Sequence, residues 1–198
     1  HTYEKVIRRA AGLGRAPMQP DPDTYDHMHL HCDVLVVGGG ATGLAAALKA
    51  GRTGARVVLA DEQSELGGQL LGNRQKIDGA SGAEWVATAA QELEALADVR
   101  VLTRTTAFGH YDHNYAALIE RRTDHLDLIA SGGERREGGT RQRLWKVRAK
   151  QVVLATGAHE RSIVFRNNDR PGVMQASAAA CYVNRYAARP GNRAVIFA

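Results

Sequence analysis

A chain of 198 residues, 44% of them hydrophobic, is long enough for one domain with a full core and too apolar to be disordered. Its 26 basic residues against 21 acidic ones leave a net charge of +5, which argues weakly for an acidic partner; with no basic stripe interleaved with aromatics along the sequence, nucleic acid is disfavoured. Two cysteines, Cys32 and Cys181, with no C-x-x-C pair, speak against a disulfide framework or a zinc site and fit a reducing cytoplasm, and no run approaches the roughly 18 apolar residues of a membrane span.

The first residues carry a helical period, with Tyr3, Val6, Ile7, Ala10 and Leu13 on one stripe and Gly14 as the stop. Residues 17–23 hold three prolines and read as an extended linker, so residues 1–31 form an N-terminal helix and linker ahead of the main domain at 32–198. Residues 34–37 are a continuous apolar run, as in a parallel strand buried on both faces. A glycine-rich turn, an Ala-rich helix over 44–52 and a second buried strand over 56–59 complete a βαβ unit. Residues 85–96 form an amphipathic helix, followed by a short strand at 99–102.

From residue 103 to 150 the pattern changes to an antiparallel insert. It has strands at 115–120 and 144–147 and an exposed Gly-rich loop over 131–140. Residues 151–155 return to a buried parallel run that ends in Thr156 and Gly157. The last residues, 194–198, are strand-like and are expected to open a second, truncated domain. The chain starts without Met, and both ends read as cut from something longer.

The glycine turn is the first chemical signal. Gly38, Gly40 and Gly43 form G-x-G-x-x-G directly after an apolar strand and at the opening of a helix, the context in which this motif binds a dinucleotide. Gly38 makes the tight turn, Gly40 lets a pyrophosphate approach the backbone beside Gly39, and Gly43 lets helix and strand pack closely. The phosphates would meet free N–H groups at a helix N-terminus carrying about half a positive charge. Thr42 can either donate its hydroxyl to the ligand or cap the helix.

Asp61 ends the next strand, where a carboxylate accepts hydrogen bonds from the adenosine ribose and repels a 2′-phosphate, favouring NAD or FAD over NADP. Glu62 follows and reads either as a second ribose contact or as a solvated charge. Spacing favours Asp61 as the main ribose partner. Gly67 and Gly68 are either an ordinary turn or a loop that folds back over the cofactor, as in flavoprotein-like Rossmann domains. The antiparallel insert and the Ala155-Thr156-Gly157 strand end favour the second reading.

The resulting fold is α/β, a Rossmann-like FAD/NAD(P)-binding domain with a parallel sheet and a β-meander insert. It resembles the flavoprotein superfamily with two dinucleotide-binding domains, in which the strand near Ala107 passes beside the adenine. A closer resemblance rests on the runs Ala107-Phe-Gly-His-Tyr-Asp-His-Asn-Tyr115, Glu120-Arg-Arg-Thr-Asp-His-Leu126 and Leu144-Trp-Lys-Val-Arg-Ala-Lys-Gln151. Leu154-Ala-Thr-Gly-Ala-His-Glu-Arg161 and Asn167-Asn-Asp-Arg-Pro-Gly-Val173 extend it.

Together these runs resemble the alpha subunits of heterotetrameric sarcosine oxidases, within a wider group that includes alpha subunits of dye-linked proline dehydrogenases and opine oxidases. The resemblance implies NAD in this chain, held at Gly38, Gly39, Gly40, Thr42, Gly43, Asp61, Glu62, Gln63, Gly68, Gln69, Ala107, Thr156 and Gly157. Gln63 and Gln69 stand where relatives are expected to carry Arg and Thr. It further implies beta, gamma and delta subunits, FAD on beta and a covalent FMN at the alpha–beta interface. An amine substrate and tetrahydrofolate as co-substrate belong to other parts of the complex. No residue here is expected to be catalytic, and the chain alone is expected to be inactive.

Other polar clusters read as structural. His27, His29 and His31 alternate on one side of an extended segment and are taken as a polar lead-in to the first strand, since no carboxylate or cysteine stands at ligand spacing. His110, Asp112 and His113 read as a polar loop near the adenine, and His159, Glu160 and Arg161 as loop or interface residues. Cys32 and Cys181 are taken as buried small hydrophobes. Arg121, Arg122, Arg135, Arg136, Arg141 and Arg143 read as a solvated hairpin or one facing a partner.

Overall fold

The computed structural model describes residues 2–12, 18, 20, 21, 23–123, 126 and 139–197. Of the loop expected at 131–140, residues 131–138, with Arg135 and Arg136, lie outside them, as does the helix stop at Gly14, while Thr140 already belongs to a strand. In chain order the elements are α1 (Thr2–Ala10), β1 (Thr24–Val37), α2 (Ala41–Gly51), β2 (Val57–Ala60), a 3-10 turn (Gly68–Gly72), β3 (Lys76–Ile77) and β4 (Ala80–Ser81). Then come α3 (Gly82–Ala95), β5 (Val99–Leu102), β6 (Thr105–Tyr111), β7 (Tyr115–Arg121), β8 (Thr140–Leu154) and α4 (Ala176–Tyr186). The apolar stripe of α1 is open to solvent, with Tyr3 84% and Ile7 66% exposed.

One six-stranded sheet organises the chain, in the order β5-β2-β1-β8-β7-β6. β5, β2, β1 and β8 run parallel, whereas β7 is antiparallel to both β8 and β6. β1 and β8 are 14 and 15 residues long and stay paired from Thr24↔Thr140 to Val37↔Leu154. A typical strand has about 5–6 residues. Each long strand therefore belongs to two structures, its first half to the meander and its second to the nucleotide-type sheet.

This pairing corrects two expectations. Residues 24–31 are strand, not linker, so the expected boundary at 31–32 falls inside β1. The segment is polar because one of its sides faces solvent, while Leu30 and Cys32 stand opposite Val147 and Ala149 in the core. Residues 144–147 and 151–155 are likewise not separate strands: 140–154 is one strand with β1 on one side throughout and β7 on the other as far as Arg148. Beyond Arg148 that side has no strand neighbour among the described residues, only the Asn114 side chain donating to the Lys150 carbonyl at 3.0 Å, and the run expected to be buried ends with Leu154 68% exposed. Residues 193–197 form no strand and are exposed.

Two apolar clusters flank the sheet. α2 and α3 close one face, where Leu44, Ala47 and Leu93 are fully buried with Val36, Val57 and Leu59. On the other face Ala116, Leu118, Trp145 and Val147 of the meander pack on Leu35, Val58 and Leu102. α3 starts three residues before its first expected residue because Ser81 and Glu84 form a reciprocal capping box. At the base of the sheet Asp33 ties three strands together: it takes the Arg56 backbone N–H at 2.9 Å and pairs with the Arg56 and Lys150 side chains at 3.3 and 2.8 Å.

The arginines expected on a solvated hairpin are largely engaged. Arg141 pairs with Asp23 at 2.6 Å, Arg143 with Asp26 at 3.0 Å, and the Arg143 guanidinium lies 5.3 Å from the Trp145 ring centroid. Trp145 itself donates its indole N–H to Glu120 at 2.8 Å.

Candidate functional site

The site lies at the carboxyl ends of β2, β1 and β8. The crossover from β1 leads through α2 to β2 on one side, while β8 lies on the other. Ligands of open α/β sheets bind at such a reversal. Gly38 leaves β1 with φ at +103°, and a Cβ there would stand 2.3 Å from the Ala155 carbonyl oxygen. A Cβ on Gly43 would lie 1.8 Å from the Gly38 carbonyl oxygen, so α2 can start this close to the strand only with glycine at that position. Gly40 differs, because nothing lies within 4 Å of the place its Cβ would take. The backbone at Gly40 thus faces open space, as an approaching pyrophosphate requires.

Gly40 is also the N-cap of α2, with no side-chain cap and no carboxylate in the helix's first turn. Thr42 is exposed in that turn and is not the cap, which leaves its hydroxyl for a ligand. The Gly67-Gly68 loop folds back on the glycine turn. Gly67 donates its N–H to the Gly39 carbonyl at 2.7 Å, and a Cβ on Gly68 would stand 3.3 Å from Gly40 Cα. On the third side, Ala155 donates to the Val37 carbonyl at 2.8 Å, which brings Thr156 and Gly157 beside Gly38. Gln69 bridges these segments by donating to the Ala158 carbonyl at 3.3 Å.

The acidic end of β2 holds a surprise. Asp61 is only 9% exposed, and both its carboxylate oxygens are occupied: Oδ2 accepts the Gly39 N–H at 2.5 Å and Oδ1 the Gln63 N–H at 2.7 Å. Charge-assisted bonds of this kind hold two loops in register. The next residue, Glu62, is exposed, with Arg121 anchoring its carbonyl at 2.7 Å. The start of β6 is bonded to the same corner, Thr105 N–H to the Asp61 carbonyl and Arg104 N–H to the Gln63 carbonyl. Ala107 follows two residues later, partly buried against the core.

The expected residues therefore form one crescent. Gly38, Gly39, Gly40, Thr42, Gly43, Gly68, Gln69, Thr156 and Gly157 gather at the helix end; Asp61, Glu62, Gln63 and Ala107 gather at the other. His110 and the turn at 112–114 are not part of it. They lie at the far end of β6, about 20 Å along the strand from Thr105, where His110 meets Asn114 at 3.3 Å. His27, His29 and His31 stand on β1 far from the glycine turn, exposed.

Several supporting residues left no local signal in the sequence. α4 packs on the 3-10 turn after Gly67: Asn184 donates to the Gly72 carbonyl at 3.1 Å, and Arg185 reaches Glu65 at 2.8 Å. Cys181, half-buried and not fully buried as expected, presses on Gly72. Glu160 accepts the Ser177 N–H and hydroxyl at the start of α4, which accounts for its place after the Thr156-Gly157 strand end. More than a hundred residues separate Asn184 from Gly72, and only the folded chain joins them. Cys32 is buried beside Asp33, and desolvation pushes its thiol up to about 11. It is packing, not a nucleophile. Among the described residues no three His, Cys, Asp or Glu are grouped to hold a metal ion, and no helix is long and apolar enough to cross a membrane.

A family model of FAD dependent oxidoreductases matches residues 33–120. The chain is 50% identical over 195 residues to the sarcosine oxidase alpha subunit of Rhizobium meliloti (strain 1021), covering 98% of this chain and 19% of that relative. It is 31% identical over 169 residues to an opine oxidase subunit of Agrobacterium tumefaciens (strain Ach5), covering 83% of this chain and 31% of the relative. Among solved structures, L-proline dehydrogenase from P. horikoshii superposes with a TM-score of 0.63 at 25% identity, over 89% of this chain and 32% of that one. The fold is thus Rossmann-like and of the FAD-dependent oxidoreductase type, and along nearly its whole length the chain is similar to sarcosine oxidase alpha subunits, spanning 19% of the length of the R. meliloti relative.

Proposed function

We propose that this chain is the NAD-binding part of the alpha subunit of an oxidoreductase complex. That complex oxidatively demethylates sarcosine to glycine, yielding hydrogen peroxide and a one-carbon unit that passes to tetrahydrofolate. The observation that carries the binding reading is the open backbone at Gly40, set between an uncapped helix N-terminus and the Gly67-Gly68 fold-back. The 50% identity to a sarcosine oxidase alpha subunit supports the choice of complex. A bound dinucleotide would supply a nicotinamide ring able to carry hydride.

This chain's own residues bind and orient. The N–H groups of the glycine turn and the first turn of α2 meet the pyrophosphate, with Thr42 and Gln69 at its edges. Glu62 offers its exposed carboxylate to the adenosine ribose, and Asp61 holds the glycine turn from behind. β6 passes the adenine at Ala107. The crescent's two carboxylates are thus committed to bracing and binding; the resemblance to sarcosine oxidase alpha subunits implies that the amine is oxidised at flavins elsewhere in the complex, FAD on beta and FMN at the alpha–beta interface. Gamma and delta complete the assembly, in the cytoplasm.

A second reading has specific support: this site holds FAD, in the alpha subunit of a dye-linked proline or opine dehydrogenase or oxidase with its own redox role. The L-proline dehydrogenase superposition and the match to an opine oxidase subunit favour it. Anaerobic reduction of the intact complex by sarcosine separates the two. The first reading expects flavin bleaching with no growth of dihydronicotinamide absorbance. Stoichiometric NADH formation, or a flavin recovered from the alpha subunit's glycine turn, would count against it.

A further inference from the structure

Strand register assembles a surface that the linear sequence does not display. Across four strands one row reads Tyr111, Tyr115, Arg148, His31, and the next reads Gly109, Ala117, Lys146, His29. The alternate residues Leu30, Ala116, Val147 and Ala149 point into the core, so these two rows lie on the outer face of the meander, beside a row that holds half-buried Ile119 and Leu144. His29, His31, Arg148 and Tyr111 are exposed, and Lys146 and Tyr115 are half-buried.

The two faces of the meander treat charge oppositely. On the inner side Arg143 is matched by Asp26 and Glu120. On the outer side neither Lys146 nor Arg148 has a carboxylate partner among the described residues; the nearest acid in β1, Asp33, is taken up by Lys150 and Arg56. Arg148 lies 5.3 Å over the Tyr115 ring, which keeps its guanidinium extended along the surface. Two strong cations and two imidazoles thus share a flat face rimmed by Tyr111 and Tyr115.

We infer that this outer meander face docks a carboxylate-bearing surface of a second protein subunit. The rows span four strands, about 14 Å across, a spread that matches a facing surface and not a small anion. Arg and Tyr are the residue types enriched at protein interfaces. Nucleic acid is the poorer fit, because Arg148 covers Tyr115 and the Tyr111 ring is tilted 37° to it, which leaves no open platform for base stacking. A lipid surface is poorer still, since neither row exposes an aliphatic side chain. The inference rests on the reading of the chain as part of a multi-subunit complex.

The test is assembly of the full-length alpha subunit carrying Lys146→Glu and Arg148→Glu with its partner subunits, followed by sedimentation across a salt series. The expected result is at least about a tenfold weaker association than wild type and a shallower dependence on salt. Unchanged association with an unchanged salt slope overturns the inference. So does normal assembly combined with lost binding to a duplex oligonucleotide or to phosphatidylserine vesicles. Acetylation of lysines in the wild-type proteins provides a readout independent of the variant: Lys146 should be protected in the complex and modified in the separated subunit, and equal modification in both overturns the proposal. Nucleotide extracted from the same samples reports on the cofactor site separately, so lost nucleotide with intact assembly counts against the proposed function alone.

Discussion

The Asp61 carboxylate accepts the amide hydrogen of Gly39 at 2.5 Å, joining the end of β2 to the glycine turn that follows β1. Its second oxygen takes the Gln63 amide. Spacing in the sequence favours Asp61 as the ribose partner, but a carboxylate with both oxygens bound to backbone is a brace, and Glu62 is the one that faces outward. Asp61→Ala should cost about 1.5–3 kcal/mol of folding stability, the scale for hydrogen bonds to a charged group, and affinity should fall with it. Glu62→Gln should weaken NAD binding by about 1–3 kcal/mol and leave the melting temperature unchanged. Calorimetry with thermal melts checks both; the opposite pattern, Asp61→Ala stable but non-binding, would return the ribose to Asp61.

Gly40 and Gly43 should separate binding from folding. A methyl group at Gly43 would be driven into the Gly38 carbonyl, and Gly43→Ala should lower stability by several kcal/mol, about 3 or more. Gly40→Ala meets nothing in the protein, so it should fold with a normal melting temperature while the methyl occupies the pyrophosphate's approach. Loss of bound nucleotide without loss of stability in Gly40→Ala is the expected result. A wild-type nucleotide content would show that the ligand does not pass over this turn.

Asp33 gives a pH-dependent prediction. Its hydrogen bonds from the Lys150 and Arg56 side chains and the Arg56 backbone hold its carboxyl well below the usual value of 3.8. A carboxyl whose folded pKa is depressed adds stability above its unfolded value and loses it as pH falls through the folded one. Asp33→Asn should therefore melt lower than wild type at neutral pH, with the gap narrowing steadily below about pH 4. A gap that stays constant from neutral to strongly acidic pH would remove the charge from the explanation.

Trp145 joins the meander to the main sheet. It is 3% exposed, hydrogen-bonded to Glu120, and packed in the cluster with Leu118 and Val147. Trp145→Ala should cost about 3–5 kcal/mol in urea denaturation, since it leaves a cavity and frees the half-buried Glu120 carboxylate from its donor. A cost under about 1 kcal/mol would mean that the meander is not part of the cooperative fold.

The sequence carried the βαβ unit well, because a buried parallel strand, a glycine turn and an Ala-rich helix each leave a dense local signature. The Ser81–Glu84 capping box was also there to be seen, and it explains why α3 starts ahead of its first apolar residue. The first half of β1 was harder. Residues such as His27 and His29 look like linker until the pairing with Leu144 and Lys146 shows that only one side of the strand needs to be apolar. β8 read as two strands because its neighbours change midway, not because its backbone does. The bracing role of Asp61 and the hold of Asn184 on Gly72 depend on contacts between distant residues, which no window of sequence contains.

On this reading Gly38, Gly40 and Gly43 hold NAD in one part of a complex whose other subunits carry out the oxidation. Acid extraction of the full-length alpha subunit, purified without added nucleotide and followed by mass spectrometry, tests it most directly. The expected result is NAD, in about one equivalent per alpha chain, and its loss in Gly40→Ala. FAD with no NAD from the same preparation would contradict it.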